Sequence, residues 1–264
     1  MLLPENFTFT QQNLQDFSDC PYRFFLKHIQ QLEWPAVESE PVIAQEALID
    51  LGTRFHMLCQ QYLSGIPSEL LSESITQPDL IIWWSNFLTL DLINQPAQRK
   101  VEKLISIPFA GFRLAAKIDL LIRLPDGQVK LYDWKTSQHQ PKRLTILSRM
   151  QSKVYPLVAV ESLLPKVKPS AIEMIYWYPA FPETPIKTPY SETRYTEEYG
   201  DLEEMIKNIA SLTEAGFQKT DKEKTCNFCR YRSLCNRGVA AGMITEIQEL
   251  PKGEDPFELD FDSI

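Results

Sequence analysis

The stretch LAAKIDLLIRLPDGQVKLYDWKT, residues 114–136, decides the fold of this chain. Apolar side chains dominate both of its halves, and the dipeptide Asp126–Gly127 between them is typical of a tight turn. Each half has the length and the apolar content of a strand. The stretch therefore predicts two β-strands that form an apolar hairpin.

Two carboxylates interrupt this hairpin, Asp119 in its first strand and Asp133 near the end of its second. Lys135 follows Asp133 by two residues, and side chains two apart point to the same face of a strand. A buried carboxylate is costly, and two close together repel each other unless a cation lies between them. A surface salt bridge between Asp133 and Lys135 is the simpler explanation. The second acid favours instead a Mg²⁺ or Mn²⁺ site that acts on a phosphate.

The rest of the chain alternates predicted helices with two further strands. The strands cover residues 99–108 and 171–178, and a proline-rich loop is predicted over residues 181–196. This order of elements predicts an α/β fold, in which helices flank a central mixed sheet. The predicted helices span residues 11–30, 44–63, 78–94, 144–164 and 197–217.

The charge of the chain is concentrated at its C-terminal end. Residues 245–264 contain seven acids and one lysine, a net of −6, so residues 1–244 carry only −2 of the total of −8. A local basic groove for nucleic acid is compatible with that balance. We predict one domain over residues 1–240 and a solvated, disordered tail over residues 245–264. Since there is no apolar run of roughly 18 residues and no signal peptide, a soluble cytoplasmic protein is expected.

Three further polar residues lie on predicted helices. His56 follows Gly52 by one turn, and the glycine suggests that another backbone segment approaches this helix closely. A histidine on a helix is more often a satisfied or exposed polar residue. If this helix packs against the hairpin face that carries both acids, however, His56 would complete a site for Mn²⁺ or Mg²⁺. Gln151 and Tyr155 lie four residues apart, hence on one helix face. They are either half-exposed helix residues or contacts for a nucleotide strand.

Three cysteines fall within ten residues, at Cys226, Cys229 and Cys235. In a chain expected to be cytoplasmic, this spacing favours metal ligation over disulfides. For the fourth ligand of a tetrahedral site, Cys20, which precedes a proline, is a better candidate than Cys59. Closing that loop of about 200 residues costs on the order of 5 kcal/mol, less than the roughly 10–16 kcal/mol that structural zinc contributes. The spacing allows either Zn²⁺ or an iron–sulfur cluster.

Together these segments resemble the RecB-type nucleases of the PD-(D/E)XK superfamily over residues 14–237. They are most similar to the branch whose chain ends are joined by a [4Fe–4S] cluster. That branch includes the AddB nuclease domain, the CRISPR-associated RecB-like exonucleases and exonuclease V. Six motifs occur in the order of the family: FSDCPYRFFLKHI (17–29), GTRFHMLC (52–59), AAKIDLL (115–121), LYDWKTS (131–137), MQSKVY (150–155) and CNFCRYRSLC (226–235).

The resemblance implies a restriction-endonuclease-like fold whose N- and C-terminal segments are joined by a four-cysteine metal cluster. It also implies a divalent-metal-dependent DNA nuclease, most similar to single-strand exonucleases of DNA repair, recombination or CRISPR-type processing. The implied partners are DNA that is single-stranded or has free ends, and a helicase or repair complex. The implied roles are catalysis for Asp119, Asp133 and Lys135, Mg²⁺ or Mn²⁺ binding for His56, Asp119 and Asp133, DNA contact for Gln151 and Tyr155, and cluster ligation for Cys20, Cys226, Cys229 and Cys235.

Two departures from the family pattern leave these ligands in place. Cys59–Gln60 stands where the family often has Leu-Glu, and Ala115–Ala116 stands where it often has glycine before the first acid. A catalytically silent, nuclease-derived subunit that binds DNA or a helicase is the alternative function. Intact catalytic residues argue against it, because decayed sites lose such costly groups. A third hypothesis is a structural protein whose chain ends are joined by zinc and whose acids have no catalytic role.

Overall fold

The computed structural model describes residues 2–34, 42–90, 92, 96–137, 139–163, 167–227 and 229–238, without the side chains of residues 42–47 and 223–224. The tail predicted at residues 245–264 lies outside this range, and the division into a domain and a tail stays a prediction. Across the described ranges, no helix combines the length and the apolar character that crossing a membrane requires.

A long β-hairpin forms the centre of the sheet. Strands β2 (Gln98–Phe109) and β3 (Phe112–Arg123) pair antiparallel at both ends, with one interruption at Glu102 and Asp119. The two turn residues between them, Ala110 and Gly111, have φ angles of +49° and +84°, both in the left-handed region that a type I′ hairpin turn requires. So short a turn fixes the register of the two strands along their whole length.

The hairpin predicted at residues 114–136 is formed by β3 and β4 (Val129–Trp134). These strands pair antiparallel, and their turn contains Gly127 with a φ of +89°, as the Asp126–Gly127 dipeptide predicts. The prediction is confirmed, with β2 as a third strand on the other edge of β3.

Three shorter strands complete a mixed sheet. β1 (Thr8–Thr10) runs parallel to the start of β3. β5 (Ile172–Trp177) runs parallel to β4, and β6 (Ile186–Pro189) pairs antiparallel with β5 at the far edge. The predicted α/β fold with a mixed sheet flanked by helices is confirmed. Within the described residues the α-helices are α1 (Gln11–Asp19), α2 (Pro21–Phe24), α3 (Val42–Leu63), α4 (Ser68–Glu73), α5 (Pro78–Leu88), α6 (Arg143–Leu147), α7 (Met150–Leu163) and α8 (Glu192–Ser211).

The helices pack on the sheet through two separate apolar cores. Val129 and Leu131 of β4 face the larger core with α1, α7 and α8, whereas Trp134 faces the smaller core with α3, α4 and α5. Because side chains alternate along a strand, the two cores lie on opposite faces of the sheet. Strand β4 therefore packs against the helices of both layers.

Strand β3 departs from this alternation at Asp119. Ile118 belongs to the larger core and Leu120 to the smaller one, although residues two apart normally share a face. Opposite Asp119 in the register, Glu102 has a φ of +47°, a left-handed conformation that is uncommon for a residue with a side chain. The central hairpin is therefore locally distorted where its acid lies.

One predicted element is wrong, and two predicted helices are each split into shorter helices in the structure. The loop predicted at residues 181–196 contains β6 and the first turn of α8. An edge strand tolerates Pro189, and the Ser191 hydroxyl caps α8 by accepting a hydrogen bond from the Arg194 N–H. The helix predicted at residues 144–164 is two helices, α6 and α7. The helix predicted at residues 11–30 is interrupted at Cys20, where Pro21 begins a new helix, one of the two outcomes, a kink or a new helix start, that this proline predicts.

Candidate active site

The charged residues of the central hairpin are buried side by side. Asp119, Asp133 and Lys135 are only 5%, 5% and 7% exposed. The backbone N–H of Trp134 donates to Asp119 Oδ2 at 2.7 Å, which holds the acid of β3 against the end of β4. Lys135 Nζ lies 3.1 Å from Asp133 Oδ2, on the face that the strand period predicts. Since both side chains are more than nine-tenths buried, a solvent-exposed salt bridge does not describe this pair.

Helix α3 brings His56 to the same place. His56 Nδ1 lies 3.6 Å from Asp119 Oδ1. One turn earlier, Gly52 packs against Thr136, the residue that follows Lys135 in the chain. A Cβ atom at Gly52 would lie only 2.7 Å from Thr136 Oγ1. The predicted close approach at Gly52 is therefore correct, but it involves the side chain of Thr136 and not a backbone segment. This contact places His56 beside the acids.

Gln151 and Tyr155 reach the acids from α7. Both side chains are buried, so the half-exposed alternative considered from the sequence is wrong. Gln151 Nε2 donates to Asp133 Oδ1 at 2.6 Å. Burial and then the charge of Asp133 raise the pKa of Tyr155 well above its usual 10.0. The contact that these residues make is with the acidic site, and a contact with DNA stays a prediction.

One acid of this site was not selected from the sequence. In the hairpin register, Glu102 of β2 falls opposite Asp119, between the pairs Val101–Leu120 and Lys103–Ile118, although these two residues do not themselves form a ladder pair. One ligand atom each of His56, Glu102 and Asp119 lies within 4.8 Å of the other two, a set that does not include Asp133. The available signal was the two-residue turn at Ala110–Gly111, because its register places residue 102 opposite residue 119.

Comparison with models of known protein families identifies the superfamily of this chain. The family model for the PD-(D/E)XK nuclease superfamily matches residues 8–236, most of the chain. The chain belongs to this superfamily. The superfamily predicted from the motifs is thereby confirmed, whereas the branch within it stays a prediction.

Two solved structures are similar to this PD-(D/E)XK chain. A "Putative exonuclease" from Eubacterium rectale has 11% identity and a TM-score of 0.49, with 91% of this chain and 92% of that chain covered. A protein named SSO0001 has 16% identity and a TM-score of 0.40, with 88% of this chain and 87% of that chain covered. A search of curated proteins found no relative.

Negative charge dominates the electrostatics around His56 and the carboxylates. Burial by itself would lower the pKa of His56, but the charges of Asp119 and Asp133 outweigh it and raise that pKa above 6.5. Burial and then the charge of Asp119 also raise the pKa of Glu102, although Lys117 at 3.1 Å opposes this. Carboxylates held so close together favour a bound cation, and carboxylate oxygens with an imidazole are a donor set that fits Mg²⁺ or Mn²⁺.

We expect Gly52→Ala to displace α3 and to weaken Mn²⁺ binding through His56. The 2.7 Å contact with Thr136 forces a shift, and overpacking of this kind costs about 1–3 kcal/mol, more than the roughly 1 kcal/mol that alanine gains in a helix. Thermal unfolding and calorimetric titration with Mn²⁺ measure the two effects. Thr136→Ala removes the contacting oxygen, so the double variant should recover both properties relative to Thr136→Ala alone. A double variant as impaired as Gly52→Ala would show that this contact does not position α3.

The four cysteines predicted as ligands line one cavity. Cys59 is not among the lining residues and lies fully buried in the smaller core. Arginines share the lining, and Arg237 Nη1 donates to Cys226 Sγ at 3.0 Å. Guanidinium groups near cysteine sulfurs favour the thiolate form that binds metals. The cavity is lined by Cys20, Cys226, Cys229 and Cys235 together with Arg23, Arg232 and Arg237, among others.

Hydrogen bonds join residues 32–34 to the cysteine segment, residues 226–235, beside this cavity. Trp34 Nε1 donates to Ser233 Oγ at 2.8 Å, and the Tyr231 hydroxyl donates to the Leu32 carbonyl at 2.9 Å. Each bond joins residues 199 positions apart in the chain. The segment after α2 and the cysteine segment are therefore packed together by the protein itself.

A series of polar contacts connects the cysteine cavity with the acidic site. Arg23, which lines the cavity, lies 2.7 Å from Asp19, and Asp19 accepts a hydrogen bond from Gln15 Nε2 at 2.9 Å. Gln15 Oε1 in turn accepts from the backbone N–H of Met150 at 3.0 Å. Met150 begins α7 and precedes Gln151, the residue that binds Asp133. Helix α1 thus connects Gln151 with the cysteine cavity.

Proposed function

We propose that this chain is a divalent-metal-dependent DNA nuclease that degrades single-stranded DNA from an end. The observation that carries the proposal is the burial of Asp119, Asp133 and Lys135 against one another, with His56 beside Asp119. Burying three charged groups and a histidine in one place is unfavourable for folding, and such groups are concentrated at functional sites. Membership of the PD-(D/E)XK superfamily supports the same reaction class.

His56, Asp119 and Asp133 are the residues that would hold the ion. A divalent ion held there would supply Lewis-acid stabilisation of the phosphate and would lower the pKa of the attacking water. Lys135 places its ammonium beside Asp133, where it can offset negative charge that develops on the phosphate or position the water.

The carboxylates are oriented by neighbouring donors. The Trp134 N–H binds Oδ2 of Asp119 and leaves Oδ1 facing His56. Gln151 binds Oδ1 of Asp133, whose Oδ2 faces Lys135. Preorganised ligands of this kind need little rearrangement when the cation and the substrate bind. Gln151 is therefore a positioning residue for Asp133 in this proposal.

Exonuclease action on single strands is favoured over sequence-specific cutting. The sequence contains no recognition helix or other base-reading module. The resemblance to the AddB, CRISPR-associated and exonuclease V branch supports a role in DNA repair, recombination or CRISPR-type processing. The same resemblance supports a helicase or repair complex as partner, and a cytoplasmic location remains part of the proposal.

Digestion of DNA substrates that differ only in their ends tests the proposal. We expect a labelled linear single strand to be shortened progressively with Mn²⁺, a circular single strand of the same sequence to stay intact, and EDTA to stop the reaction. Cutting of the circle would contradict the exonuclease assignment. Binding without any cleavage would favour the catalytically silent subunit, and absence of both would contradict a role on DNA.

We further propose that the cysteine cavity holds a [4Fe–4S] cluster, with Zn²⁺ as the alternative. The spacing of the cysteines in the sequence fits either group. The resemblance to the branch with a [4Fe–4S] cluster favours the iron–sulfur cluster. Burial outweighs the charge of nearby Arg23 and raises the pKa of Cys229 to about 11, so the free thiol is protonated and has to lose its proton when a metal binds. Because hydrolysis transfers no electrons, the cluster would join the chain ends.

A further inference from the structure

Glu102 lies among the proposed metal ligands without any role yet assigned to it. Its side chain is 13% exposed, and it comes from a different strand than either proposed aspartate. Its carboxylate has an oxygen within 4.8 Å of both the nearest ligand nitrogen of His56 and a carboxylate oxygen of Asp119. These three residues come from α3, β2 and β3, so only the folded chain brings them together.

The charges around Glu102 distinguish it from an ordinary surface acid. Lys117 Nζ lies 3.1 Å from Glu102 Oε2, and this lysine is 42% exposed. An ion pair with a half-exposed lysine needs no second carboxylate, yet an oxygen of Asp119 lies within 4.8 Å of an oxygen of Glu102. Like charges at this distance disfavour each other unless a cation is shared between them. The lysine pair alone therefore does not account for the position of Glu102.

We propose that Glu102 is a further metal-binding residue of this site and holds a divalent cation together with His56 and Asp119. The proposal rests on the proposed metal-dependent function and extends its ligand set. Two carboxylates and an imidazole are suitable donors for Mn²⁺ or Mg²⁺. Glu102, rather than Asp133, completes the most compact set of three donors. In this arrangement, Asp119 belongs to both ligand sets, the one with Glu102 and the one with Asp133.

Calorimetric titration with MnCl₂, without DNA and on the cluster-containing protein, tests this assignment. The parent, Glu102→Gln, Lys117→Met and Asp119→Asn are compared. Lys117→Met removes one unit of charge from the same place without removing a ligand, so it measures the through-space effect. We expect it to tighten binding by no more than about fivefold, the range of exposed charge pairs. Glu102→Gln should weaken binding by well over tenfold, because loss of even an outer-sphere partner costs about 10–100-fold.

The variants separate failure of this proposal from failure of the proposed function. If Glu102→Gln weakens binding only as much as Lys117→Met strengthens it, Glu102 acts through its charge and is not a ligand. If Asp119→Asn also binds Mn²⁺ like the parent, there is no metal site here and the proposed nuclease mechanism fails with it. Thermal unfolding without Mn²⁺ checks that each variant is folded. Should Glu102→Gln not fold, Glu102→Asp is used, which keeps the charge but shortens the side chain, and unchanged affinity in that variant overturns the assignment.

Discussion

Asp133→Asn is expected to lower Mn²⁺-dependent DNA cleavage by at least about a thousandfold, because several kcal/mol of metal-borne stabilisation would be lost. The substitution keeps the size of the side chain and the oxygen that accepts from Gln151, but it removes the charge that faces Lys135. The rate of cleavage of a labelled single strand at saturating Mn²⁺ measures the effect. Thermal unfolding of the same preparation shows whether the fold is retained.

Asp201→Asn is the matched control for this experiment. Asp201 lies on α8 with a side chain that is 62% exposed, and its partner is Lys153 at 3.3 Å. An exposed pair of this kind contributes little, so cleavage should be unchanged. If Asp133→Asn and Asp201→Asn both cleave at the rate of the parent, the assignment of the active site is wrong.

Cys20→Ser is expected to remove metal content and thermal stability together. Without this ligand, closure of a loop of about 200 residues, on the order of 5 kcal/mol, is no longer offset by metal binding. For a chain of this size that corresponds to a fall in melting temperature on the order of 10 °C. Metal analysis and absorption spectra of anaerobically purified protein identify iron or zinc, and thermal unfolding gives the stability. Cleavage at low temperature should fall less than stability, since the acidic site is formed by other residues.

Cys59→Ala is the control that separates ligation from packing. Cys59 is fully buried in the smaller core and does not line the cysteine cavity, so its substitution should cost stability through lost packing but leave the metal content unchanged. A Cys20→Ser protein with full metal content and an unchanged melting temperature would refute the proposal that a metal joins the two chain ends through Cys20. Loss of metal in Cys59→Ala instead would move the fourth ligand to that residue.

The central hairpin and its acids were predictable because their determinants are local. Period-two alternation places Asp133 and Lys135 on one face, and the Asp126–Gly127 turn joins the strands, whatever the rest of the chain does. The edge strand β6 was missed for the opposite reason. Prolines around it are typical of loops, and only pairing with β5 makes the segment a strand.

The sequence alone determined which residues are costly to bury, and the superfamily to which their order belongs. Only the tertiary structure decided which of them meet. His56 reaches Asp119 because Gly52 lets α3 pack on Thr136, a contact between residues 84 positions apart, and Gln151 is buried on Asp133 because α7 covers that face. Glu102 enters the site because a two-residue turn sets the register of β2 against β3. Such contacts depend on the relative placement of whole elements, for which the spacing within any one element carries no information.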